Sequence, residues 1–308
     1  LLQRLKTYYK DLSKSLYIMT KMNIVLIIGQ NKDPINFKKS LDIYLNNEKV
    51  SKIVLVTWNN TTGIRFNSSK ILCIKVPPVN LKHSFEYQKK LFDVGVSTIN
   101  NRYNGDIYIL KTRMDFIISN DLLNFILEQD YKLESSLSPL FKYKIWIAWI
   151  HVTKPFYIGD CCFYSHISVI NNLAPQSGIK EFRIRQGHPE IRWFLTLSKL
   201  YNIYDDPSEY HKYKDMAGEF ELTDEIKKIL LRYKECINKH FIVQNFKDGI
   251  LGRDCASVDF YKKKSNNILD IIQDQPEINN KKFAYNIDDF NSTFESSYFI
   301  SENQIISV

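Results

Sequence analysis

An α/β protein with a mostly parallel sheet and helices on both faces is predicted by two observations. Apolar runs of strand length alternate with segments whose apolar residues recur at helical spacing. The runs are also apolar on successive residues, as in Ile24-Val25-Leu26-Ile27-Ile28 and Ile53-Val54-Leu55-Val56. Strand side chains alternate faces, so such runs must be buried on both, the condition of a parallel sheet between two helix layers. A chain of 308 residues with 44% hydrophobic content can bury a core of that size.

Residues 1–21 set Leu1, Leu2, Leu5, Tyr8, Tyr9, Leu12, Leu16 and Met19 at helical spacing among Arg4, Lys6, Lys10 and Lys14. An amphipathic helix is expected there, packing on its own domain or lying on an anionic membrane surface. The strand 24–28 breaks at Gly29 and is followed by Pro34 and the helical pattern Phe37, Leu41, Tyr44, Leu45. Lys52 to Trp58 repeats the arrangement and ends in the polar turn Asn59-Asn60-Thr61-Thr62-Gly63. A short strand from Ile71 to Val76 leads through Pro77 and Pro78 to a helix over about Lys82 to Ile99. A strand over 107–115 comes next, then a helix capped by Ser119 or Asn120 and running to about Glu128. Apolar stretches from Ile145 to Ile150 and from Phe156 to Tyr164 follow, and Pro189 opens a helix in its first turn. Thr223 to about Phe241 is again helical, while 265–308, rich in Asn, Ser and acids, is expected to wrap the core irregularly. The expected division is 1–21, an α/β core at 22–205, and a helical and irregular C-terminal region at 206–308 packed on that core.

The net charge is +8, but the Lys and Arg are spread along the chain among 34 acidic residues, which argues against nucleic acid and for anionic surfaces or small anionic ligands. The five cysteines, at 73, 161, 162, 236 and 255, form no Cys-x-x-Cys pair, so neither a zinc ribbon nor a disulfide scaffold is indicated. No apolar run approaches the ~18 residues of a bilayer span, and the first residues lack the apolar core of a signal peptide. A cytoplasmic protein is the expectation, either soluble or peripheral on the inner face of the membrane through its first helix.

The chemistry gathers where the run Ile107-Tyr108-Ile109-Leu110 gives way to Lys111-Thr112-Arg113-Met114-Asp115. With period two, Lys111, Arg113 and Asp115 would project to one side near the strand's carboxyl end, where open α/β sheets bind ligands. Two cations and a carboxylate suit a phosphate-bearing ligand, and the simpler alternative is an Arg113–Asp115 surface pair closing the strand. Gly29 and Gln30 at the first strand's end, and Thr57 and Trp58 at the second's, are placed to surround a base and ribose; Trp58 serves equally well as a core residue. Asp160, an acid within an apolar stretch, needs a partner or a function. Glu190 stands at a helix start, where an acid is ordinary. His166 and His188 read as structural.

In this order, Ile24–Gly29, Val56-Thr57-Trp58, Lys111-Thr112-Arg113-Met114-Asp115, Gly159-Asp160-Cys161-Cys162-Phe163-Tyr164 and Pro189-Glu190 resemble the WavE-type lipopolysaccharide synthesis family of bacterial glycosyltransferases, over roughly 22–200. The Lys-x-Arg-x-Asp signature is the most specific piece. The resemblance implies a GT-A-like fold and transfer of a sugar from a nucleotide-sugar donor onto a surface glycan or glycolipid acceptor. Many GT-A enzymes carry Asp-x-Asp, and here Arg113 stands two before Asp115. Asp115 would then bind Mg²⁺ or Mn²⁺ together with donor phosphates and water, or Lys111 and Arg113 would neutralise the leaving phosphate without metal; the metal-assisted route is preferred. Asp160 and Glu190 compete for the base that activates the acceptor hydroxyl, Asp160 being the more rigidly held. The alternatives are a transferase of another phosphate-linked group, such as a CMP-activated sugar, and a non-catalytic nucleotide- or glycan-binding module.

Overall fold

The computed structural model describes residues 21–31, 34–61, 66, 68–80, 84–134, 138–151, 156, 158–159, 161–173, 189–203, 224–244, 250–253, 283–284, 286–288 and 290–292. The N-terminal helix expected before residue 21 and most of the stretch after 253 lie outside them. The first half alternates strands and helices as expected: β1 (Met22–Ile28), α1 (Pro34–Asn46), β2 (Val50–Trp58), β3 (Ile71–Val76), α2 (Ser84–Arg102), β4 (Ile107–Arg113), β5 (Phe116–Ile118) and α3 (Asn120–Glu128). The second half is more broken: β6 (Ile145–Ile147), β7 (Ile150–His151), β8 (Phe163–His166), α4 (Ile167–Leu173), α5 (Pro189–Trp193), α6 (Leu195–Leu200), α7 (Asp224–His240), β9 (Phe241–Val243), β10 (Ile250–Arg253) and β11 (Phe283–Ala284).

The main sheet has the order β3-β2-β1-β4-β8-β6-β9. β3, β2, β1 and β4 are parallel, β8 runs antiparallel between β4 and β6, and β9 is parallel to β6. The fold class is therefore the expected one, a mostly parallel sheet between helix layers. The last strand of the sheet comes from beyond residue 205, so this edge of the core is built by the C-terminal region.

Successive residues of the central strands feed two different cores. Ile24, Leu26, Ile28, Val54, Val56, Ile107 and Ile109 meet Phe85, Leu91 and Phe92 of α2, together with side chains of α4 to α7. Val25, Ile27, Ile53, Leu55, Tyr108 and Leu110 meet Phe37, Leu41 and Tyr44 of α1 and Leu122, Leu123, Ile126 and Leu127 of α3. Each buried aliphatic side chain contributes roughly 1.5–3 kcal/mol.

The helix boundaries have local causes. In α3 the Ser119 hydroxyl accepts the Leu122 N–H at 3.1 Å from an extended backbone, an N-cap worth ~1 kcal/mol. Pro34 opens α1 where no intrahelical N–H is needed. At its other end the Lys70 ammonium donates to the carbonyls of Tyr44, Leu45 and Asn47 at 3.2, 2.9 and 2.8 Å, satisfying acceptors that the helix leaves open. α2 approaches the sheet through Gly95, where a Cβ would overlap Leu26 Cδ1 and come 3.1 Å from Val56 Cγ2.

Three expectations need correction. β4 stops at Arg113, and Met114 and Asp115 form a turn into β5, so Asp115 is not on the strand. The stretch from Phe156 to Tyr164 is not one strand: Ile158 makes an isolated bridge to Ile150, and β8 begins only at Phe163. The apolar run from Ile145 to Ile150 is divided between β6 and β7, which belong to different sheets.

Candidate functional site

Strands β2 and β3 lie to one side of β1 and β4 to the other, with the connecting helices α1 and α2 on opposite faces. The chain therefore diverges at β1 and β4, and the region beyond the carboxyl ends of such strands is where doubly wound sheets take ligands. The register brings the expected ends together: Ile28 stands beside both Val56 and Arg113. Neighbouring strands are ~4.8 Å apart, so the ends of β2, β1 and β4 fall within ~10 Å, the span of one nucleotide.

Gly29 turns the chain at this point. Its φ of +129° is a conformation that only glycine adopts readily, and among the described residues a Cβ would meet nothing within 4 Å. Its N–H donates to Val56 O at 3.3 Å, and the Met114 N–H donates to Ile28 O at 3.3 Å, which ties the turn to both flanking strands. Thr57 is fully buried and donates its hydroxyl to Gly29 O at 2.8 Å. That uses its one proton, so the Thr61 hydroxyl, 2.9 Å away, is the donor in the contact between the two. Thr57 thus shapes the turn from below, and Gln30 beyond it is exposed.

Arg113 and Asp115 form a two-pronged ion pair: Nε donates to Oδ1 at 2.8 Å and Nη2 donates to Oδ2. Arg113 Nη1 also lies 3.6 Å from Cys161 Sγ. Both members of the pair are partly exposed, as the simpler reading of the spacing expects. Cys162, next to Cys161, is wholly enclosed, and burial pushes its thiol up to about 12, so it remains protonated.

Two expected ligand contacts are turned inward. Lys111 is fully buried, its ammonium 3.4 Å from Gln88 Oε1 and 5.3 and 5.0 Å from the ring centres of Phe163 and Trp193. Its period-two phase is right, but α2 and α5 cover that face and aromatic rings receive the cation. Trp58 is 3% exposed and meets the Tyr87 ring edge-on at 5.8 Å; it is a core residue, because its face of β2 lies under α2. Asp160 lies outside the described residues, as does the side chain of Glu190, whose backbone is in α5. The metal expected on Asp115 would find one carboxylate already paired with Arg113. Among the described residues no group of three or more His, Cys, Asp or Glu could hold an ion, so a metal on Asp115 would need donor phosphates and water to complete its shell.

Sequence reasoning missed Cys161 and Thr61. The contact of Cys161 with Arg113 depends on β8 running antiparallel beside β4, with Lys111 opposite Phe163. Nothing local in the sequence signals that pairing. Thr61 was legible only as part of a polar turn.

No family model matches the chain. No curated protein matches it either. Among solved structures, the 2-C-methyl-D-erythritol 4-phosphate cytidylyltransferase of Francisella tularensis is similar over 42% of this chain and 58% of that one, at 18% identity and a TM-score of 0.29. The match thus spans little more than half the length of that enzyme, and a likeness at this level bears on neither mechanism nor substrate.

Proposed function

We propose that the chain is a nucleotide-dependent transferase that holds its donor across the carboxyl ends of β1, β2 and β4. In the finer reading it moves a sugar from a nucleotide-sugar onto a surface glycan of lipopolysaccharide or capsule type. The observation that carries the proposal is the switch point itself, where a glycine turn stands beside a guanidinium at the meeting of three strand ends. Arg113 is suited to the leaving phosphate, because its planar fork matches two phosphate oxygens as it now matches two carboxylate oxygens. Asp115 holds that fork in place and gives it up to the donor. Lys111, two residues earlier on the same strand and ~7 Å away, adds positive potential from beneath instead of a direct contact.

Asp160 is assigned the role of base for the acceptor hydroxyl, with Glu190 next in line. The acceptor class rests on the family resemblance alone, and the docking of the N-terminal helix on anionic lipid rests on the basic amphipathic pattern of residues 1–21. No helix among the described residues is long and apolar enough to cross a membrane.

The test is calorimetry with UDP, GDP and CMP, with and without Mn²⁺, beside a transfer assay. Arg113→Ala is expected to weaken the bound nucleotide by roughly 10–100-fold, the worth of a charge-assisted pair. Asp160→Asn is expected to leave affinity intact and to lower transfer roughly 10²–10⁴-fold. Unchanged affinity in Arg113→Ala would remove these strand ends from the account, and full transfer in Asp160→Asn would pass the base to Glu190. Indifference to all three nucleotides would mark a binding module for something else.

A further inference from the structure

We propose that Asp106, His166 and Ser168 form a second, nucleophilic site at the amino edge of the main sheet, where the Ser168 hydroxyl takes an acyl group from an ester and passes it to water. The inference does not depend on the nucleotide site, which lies at the opposite end of the strands. His166 ends β8, Ser168 lies in the first turn of α4, and Asp106 immediately precedes β4. All three are partly exposed.

The proton positions follow from the contacts. Ser168 Oγ is 2.8 Å from His166 Nδ1, and the Ser168 backbone N–H donates to the same nitrogen at 3.2 Å. A backbone N–H can only donate, so Nδ1 carries the lone pair and the ring proton is on Nε2. Nε2 faces Asp106 Oδ1 at 3.4 Å. The serine hydroxyl thus donates to a base whose other nitrogen is held by a carboxylate, the nucleophile–base–orienter arrangement of acyl transfer. Tyr143 stacks on the imidazole with centroids 4.1 Å apart, and Tyr108 meets it edge-on at 5.2 Å, which fixes the ring plane. Asp106, Tyr108 and Tyr143 are the titratable groups facing the ring, and the Lys21 ammonium lies over Tyr108 at 4.5 Å. Burial lowers the His166 pKa, with Asp106 opposing it, which favours the neutral form that accepts a proton.

In the first step Ser168 Oγ bonds to the ester carbonyl carbon as its proton passes to Nδ1. The C–O bond to the alcohol then breaks, and the alcohol leaves with that proton. Water, losing a proton to Nδ1, attacks the acyl-serine and releases a carboxylic acid, and the proton returns to Oγ. The same contacts also cap α4, and capping alone would leave the hydroxyl inert.

A fluorophosphonate separates the two, since it forms an Oγ–P bond with loss of fluoride only at an activated serine. The full chain should gain one adduct, mapped to Ser168 by peptide mass spectrometry, and Ser168→Ala should gain none. His166→Gln should label ~10²-fold more slowly. Asp106→Asn, which keeps the side chain's shape, should slow labelling at least ~10-fold and carries the test should His166→Gln not fold by circular dichroism. Absence of a Ser168 adduct in the folded wild-type chain, or equal labelling rates in wild type and Asp106→Asn, would overturn the proposal.

Discussion

His240, the last residue of α7, is wholly buried between the rings of Phe141 and Tyr201, and neither ring nitrogen has a hydrogen-bond partner among the described residues. Burial, with Lys239 adding repulsion, lowers its pKa from 6.5 to about 4. Above pH 6.5 the imidazole is neutral in both folded and unfolded chains and has no effect on stability. Between pH 6.5 and 4 the unfolded chain binds a proton that the native state refuses, so stability falls by ~1.4 kcal/mol per pH unit and then levels off. Urea melts across that range should show this loss of ~3 kcal/mol, and His240→Phe should flatten it; an unchanged slope would mean that His240 does not titrate differently on folding. How legible a residue was depended on whether its surroundings are local. Gly29 and the Arg113–Asp115 pair could be read from a break in an apolar run and from spacing. The burial of Lys111 and Trp58 could not, because Phe163, Trp193 and Tyr87 come from elements far along the chain.

The elements that were legible are those long enough to show a period. β1 to β4 and the helices α1, α2, α3 and α7 fall where apolar runs and helical stripes predict them. β8, β9 and β10 are three or four residues each and α4 is seven, too short for a pattern to declare itself, and the reversal of β8 is set by its neighbours β4 and β6. The contact between α2 and the sheet depends on one small residue, Gly95, at a distance that no side chain could share. Gly95→Val should destabilise the fold by ~1–3 kcal/mol, since a β-branched side chain there meets Leu26 and Val56, which outweighs the ~0.3 kcal/mol of helix propensity that Val gains over Gly. A shift of the denaturation midpoint at constant slope is the expected record; an unshifted midpoint would mean that α2 packs less closely than described.

For the whole molecule, topology does more than any single motif to locate the ligand. Divergence of the chain at β1 and β4 singles out the carboxyl ends of these strands, and Gly29, Gln30, Arg113 and Asp115 come there because they end or follow them. The central claim, that a nucleotide binds across these strand ends, is tested most directly by amide hydrogen exchange with and without UDP, GDP and CMP. The account predicts that one of the three slows exchange at residues 29–31, 58–61 and 113–116, leaving the amino edge of the sheet around 103–106 and 165–168 unchanged. Protection confined to that amino edge, or none anywhere with any nucleotide, would contradict it.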